Sequence, residues 1–180
     1  MTSITIRILF AVAAAAAFFG CAHQNITLDS VGEPQKLGGA QRVVVVDHIW
    51  VASQPDTEAL KLAKAEGVRT VINLRHPNEM DWNEARAVEA LGMRYHNVPI
   101  NGRGDELDPA AMAKIHRLIR AEGDRPVLVH CRSGNRVGGW LATYLMDEQG
   151  ASRENALAVG KKAGIASDVV AGWVEKYRRP

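Results

Sequence analysis

Apolar residues fall into five short, dense runs, and between the runs they recur at three- and four-residue spacing, so strand and helix alternate along the chain. Arg42-Val-Val-Val-Val46 and Ile49-Trp-Val-Ala52 flank Asp47-His48 and predict a hairpin. Val68 to Leu74 is rich in β-branched residues, and Met93 to Val98 and Pro126 to His130 predict two further strands. A helix is predicted from Asp56, its N-cap, to Glu66, with Gly67 as its stop. Others are predicted over Trp82 to Leu91 and, opened by Asp108-Pro109, on to Glu122. Three more cover Val137 to Glu148, Ser152 to Ala163, and Ser167 or Asp168 to Arg178. This order implies one α/β domain: a mostly parallel central sheet of about four to five strands, helices on both faces, and an antiparallel edge from the hairpin.

In such sheets ligands bind beyond the carboxyl ends of the strands. There the chain reads His130-Cys131-Arg132-Ser133-Gly134-Asn135-Arg136, a strand end, a tight loop and the start of a helix. Inward N–H groups of a short loop, with a helix N-terminus behind them, suit an oxyanion. Arg132, Ser133, Gly134 and Asn135 are therefore the candidate phosphate-binding residues, and Arg136 can grip two oxygens with its planar fork. Beside these cations Cys131 is expected to ionise and act as a nucleophile at an accessible rim. A regular strand points His130 away from Cys131, which suits it to orienting the loop by hydrogen bonding.

His-Cys, a glycine three residues on and an arginine opening a helix resemble the signature of cysteine-dependent tyrosine and dual-specificity phosphatases. Gly67 to Arg75 and Asn97-Val-Pro-Ile100 are similar to the bacterial members. The likeness is greatest to the phosphatase-like domain of beta-lactamase-hydrolase-like proteins, and it spans Arg42 to Gly164. It implies phosphate monoesters, phosphotyrosine among them, as substrates.

The spacing departs from that family. Its signature has five residues between Cys and Arg, whereas four separate Cys131 from Arg136. Val137 stands where the arginine is usual, and Gly138 where a hydroxyl residue often assists the leaving thiolate. The shorter loop also resembles that of rhodanese-type sulfurtransferases, which cradle a persulfide.

Phosphatases of this kind take a leaving-group proton from a mobile upstream loop. Asp105, between Gly102 and Gly104 on one side and Glu106 on the other, is the candidate acid, with Glu106 and Asp108 as alternatives; capping alone explains Asp108. The remaining histidines show no ligand spacing, so neither a metal nor another cofactor is expected.

The chain has 180 residues and a net charge of +2. Its basic pairs are scattered, which argues against nucleic acid as a partner and for a phosphorylated or other anionic substrate. Residues 1–20, with Arg7 ahead of an alanine-rich apolar run, read as an export signal, and Phe18-Phe19-Gly20-Cys21 resembles a bacterial lipobox. The expected location is the periplasm, with a lipid on Cys21 as the one membrane contact. Residues 21–41 read as a flexible tether and 42–180 as the catalytic domain. The resemblance favours a cysteine-dependent phosphatase, because His130 and the Val71-to-Arg75 and Asn97-to-Ile100 segments match that side; a rhodanese-like sulfurtransferase and a non-catalytic anion-binding module are the alternatives.

Overall fold

In the computed structural model, which describes residues 25–101 and 107–178, six strands form one sheet. They are β1 (Gln35–Leu37), β2 (Ala40–Val46), β3 (Ile49–Ala52), β4 (Thr70–Asn73), β5 (Arg94–Asn97) and β6 (Val127–His130). The order across the sheet is β1-β2-β3-β6-β4-β5. The first three pair antiparallel, and β3, β6, β4 and β5 run parallel. β6, which delivers Cys131, is thus central, between β3 and β4.

The helices are α1 (Thr57–Ala65), α2 (Glu84–Ala90), α3 (Pro109–Glu122), α4 (Asn135–Gln149), α5 (Arg153–Ala163) and α6 (Asp168–Lys176). Side chains alternate across the strands with period two. Val43, Val71 and Leu128 therefore meet α1 and α2 through Leu60, Ala63 and Val88. Val44, Ile72 and Val129 face the other way, onto Met112 and Ile115 of α3 and Val137 and Leu141 of α4. Helix α4 is buried continuously from Arg136 to Met146. A helix covered on all sides is held rigidly, and its first turn forms the wall of the anion loop.

Three expectations are corrected here. The sheet has six strands, more than the four to five expected, because β1 lies inside the stretch read as a tether. That stretch packs: Ile26 and Val31 are buried, and Val31 forms a bridge with Val46. The cause is the Gly38-Gly39 turn. Gly38 has φ +52, and a Cβ there would lie 2.5 Å from the Ala59 nitrogen. The Gly39 N–H donates to the Asp56 carboxylate at 3.0 Å, which also caps α1 by accepting from Ala59. One carboxylate thereby ties the strand turn to the helix start. Helix α4 also starts at Asn135, two residues ahead of the expected Val137. Residues 1–24, which carry the export-signal and Cys21 expectations, and Asp105 and Glu106 lie outside the described residues.

Candidate active site

The loop from Cys131 to Asn135 joins β6 to α4, and Gly134 makes the bend at φ +90, a conformation that L side chains rarely adopt. The N–H groups of Arg132, Ser133, Asn135 and Arg136 donate to no atom among the described residues. The last two are the free donors of a helix start. The Gly134 N–H is directed at the Cys131 sulfur, 3.2 Å away. The loop thus offers amide donors next to the thiol at the positive end of a 15-residue helix.

Arg136 is fixed from the opposite side. Its Nη1 donates to the Leu74 and Ile100 carbonyls at 3.3 and 3.0 Å, just past the ends of β4 and β5. Nη1 and Nη2 also hold the Glu79 carboxylate, at 2.8 and 2.6 Å. Of the five N–H donors of a guanidinium, Nε–H and one Nη2–H are taken by no oxygen among the described residues, and the Cys131 sulfur is the guanidinium's remaining partner. Those two form one edge of the fork, the geometry that takes two oxygens of a phosphate. Burial works against the Arg136 charge, yet the Glu79 carboxylate and the Cys131 sulfur outweigh it and raise its pKa. Glu79 is therefore an orienting group that sequence reasoning missed.

Glu79 ends a short 3-10 turn, Pro77–Glu79, and is held in turn. The His76 N–H donates to it at 2.9 Å, and Arg75 binds its carbonyl and approaches its carboxylate at 3.8 Å. The hydrogen bond from Arg136, against the opposing effect of burial, lowers the Glu79 pKa from 4.5 to about 2. A depressed carboxyl stabilises the fold fully above its ordinary value and loses that contribution as pH falls through the folded one. Urea titrations of the natural protein and Glu79→Gln should therefore differ by a constant amount above about pH 4.5, and the difference should shrink toward pH 2. A gap that stays constant down to pH 2 would show that Glu79 is not paired with Arg136 in solution.

A second polar layer lies under α2. Asn73 donates to Glu84 at 2.8 Å and to the Tyr95 hydroxyl at 2.9 Å, and its carbonyl oxygen accepts from the Arg75 N–H at 2.8 Å. Gln54 bridges Glu84 and Arg75, at 2.9 and 2.6 Å. His130 is fully buried on this face, with Nε2 3.2 Å from Glu84 and without the alignment of a hydrogen bond. The pleat turns the ring toward α2 and away from Cys131, as expected, but neither ring nitrogen hydrogen-bonds the loop among the described residues, so the expectation that it orders the loop by hydrogen bonding is corrected.

The loop borders a cavity of about 760 Å³ whose walls include Arg75, His76, Glu79, Arg132, Ser133 and Arg136. Cys131 is not among its lining residues and is only 1% exposed. The accessible rim expected for the sulfur is thus corrected to a buried position, beneath the loop and beside the guanidinium. Asn135 uses its side chain and its backbone differently. Its side chain accepts from the Ala166 N–H and donates to Ser167, both at 2.9 Å, clamping the α5–α6 connection onto the loop and leaving only its backbone N–H for an anion. Asp108 caps α3 through the Ala110 N–H at 2.9 Å.

A sequence-family comparison decides among related architectures: residues 40–173 match the family described as PTP-SAK, Swiss Army Knife protein, DSP-PTPase phosphatase domain. The chain belongs to that family. It is 25% identical over 122 residues to the dual specificity protein phosphatase TpbA of Pseudomonas aeruginosa, covering 67% of this chain and 53% of that one. It is 27% identical over 139 residues to a beta-lactamase hydrolase-like protein of Xylella fastidiosa, covering 74% and 32%. The chain thus spans about half the length of TpbA and a third of the second relative. The crystal structure of P. aeruginosa TpbA in complex with pTyr superposes with a TM-score of 0.64 at 19% identity, covering 81% of this chain and 90% of that one, a likeness of fold.

Proposed function

We propose that this DSP-PTPase domain hydrolyses phosphate monoesters through a phosphocysteine on Cys131. The observation that carries the reading is the Arg136 guanidinium, held against the sulfur by Glu79 and two strand-end carbonyls with one fork edge taken by no other oxygen. A phosphoryl group seated between that edge and the loop amides meets the Cys131 thiolate. The S–P bond forms as the ester P–O bond breaks, and the leaving alkoxide takes a proton from an acid, assigned from sequence to Asp105. Water then attacks phosphorus, releasing phosphate and returning the thiolate. Because the sulfur is buried, the phosphoryl group has to enter between the loop and Arg136 before attack. The leader of residues 1–20 would route the chain out of the cytoplasm, and lipidation of Cys21 would hold it at a membrane.

The short loop supports a second reading, since four intervening residues match sulfurtransferases. The full chain and Cys131→Ser, assayed on aryl phosphate and on thiosulfate with cyanide, separate the two. Cys131-dependent phosphate release is the expected result. Thiocyanate formation instead establishes the sulfurtransferase, and silence on both with retained phosphate binding leaves an anion-binding module.

A further inference from the structure

The walls of the 760 Å³ cavity carry little that an aromatic ring would bury against. Val170 is the one apolar side chain among its described lining residues, and none of them is Phe, Tyr or Trp. A bound phenyl ring would meet arginine stems and Val170 in place of the aromatic and aliphatic side chains that line pockets for such groups.

Charge in the cavity is also more than one phosphate requires. Among the described lining residues, three guanidinium groups, Arg75, Arg132 and Arg136, face one carboxylate, Glu79. Arg136 and Arg75 both engage Glu79. Arg132 differs: its carbonyl is tied down by the Gln54 N–H at 3.2 Å, and its exposed side chain makes no hydrogen bond or ion pair among the described residues. Its backbone is fixed next to the nucleophile while its charge is uncompensated at the mouth.

We propose that the preferred substrate is a non-aromatic phosphoester bearing a second phosphate, such as a sugar or polyol bisphosphate, with Arg132 holding the phosphate that is not cleaved. This rests on the phosphatase reading above. A planar fork held at a fixed place beside the loop selects a second oxyanion and contributes nothing to an alcohol there.

The test measures phosphate release by the full chain from a hexose 1,6-bisphosphate, the hexose 6-phosphate and phosphotyrosine. The bisphosphate should have the highest kcat/KM, and Arg132→Ala should lower the ratio of bisphosphate to monophosphate kcat/KM about tenfold, the weight of one charge-assisted contact. Arg132→Lys should restore part of that ratio. A preference for phosphotyrosine, or an Arg132→Ala loss equal for both hexose phosphates, overturns the inference and leaves the phosphatase reading standing. No Cys131-dependent release from any of the three overturns both.

Discussion

Replacing Arg136 by lysine is expected to cut kcat/KM for phosphate esters by two to three orders of magnitude, roughly the effect of deleting one preorganised oxyanion donor. Lysine keeps the charge and loses the fork. Its ammonium can reach either the Glu79 carboxylate or a substrate oxygen, but it cannot span the Leu74 and Ile100 carbonyls while offering a second edge to phosphate. The groups left short of donors sit in a nearly water-free place, with the Arg136 side chain only 9% exposed. The fold should therefore also lose about 1–3 kcal/mol, as unsatisfied buried polar groups do. Steady-state kinetics and thermal unfolding of the same preparation check the two losses together. A fall in kcat/KM of less than tenfold, with the fold intact, would remove Arg136 from anion binding.

The same contacts show what sequence reasoning reaches and where it stops. Strand identity and helix ends were legible because their causes are local. Runs of Val and Ile build β2, β4 and β6, and Asp56, Ser152 and Ser167 cap helices three residues downstream. Strand β1 was not legible, since Gln35-Lys-Leu37 has no alternating pattern and pairs only because Gly38 and Gly39 turn it back onto β2. Cys131, Arg136 and the loop were readable as one motif, because five consecutive positions after the cysteine carry it.

The groups that aim the motif were not readable. Glu79 meets Arg136 across 57 positions and Glu84 meets Gln54 across 30, distances set by the parallel crossovers and not by any local pattern. One signal existed: Glu79 lies three and four residues past His76 and Arg75, which follow the carboxyl end of β4. The burial of Cys131 was equally out of reach, since it depends on how α4 seats against the sheet.

Gly138→Ser should cost both stability and activity without altering any charge. Related phosphatases often carry a hydroxyl residue there, so sequence logic makes the serine look like a repair of the leaving-group step. The structure predicts the reverse. A Cβ on Gly138 would lie 2.7 Å from the Ile165 nitrogen and 2.8 Å from the Gly160 carbonyl oxygen, and backbone atoms cannot rotate aside as a side-chain end can. Gly160 has the reciprocal constraint, with a Cβ 2.9 Å from the Gly138 carbonyl oxygen. The two glycines therefore let α4 and α5 approach along their backbones, and that approach brings Gly164 against Gly134 and the Ala166–Ser167 segment onto Asn135. Overpacking at such a contact costs about 1–3 kcal/mol, a fall in melting temperature of roughly 2–12 °C for a domain of this size. Because α5 would be pushed from the loop it clamps, activity should drop with stability, and Gly138→Ala should show the same loss without any hydroxyl. A serine variant with unchanged melting temperature and faster turnover would mean that the helices are not packed this closely and that the missing hydroxyl limits the reaction.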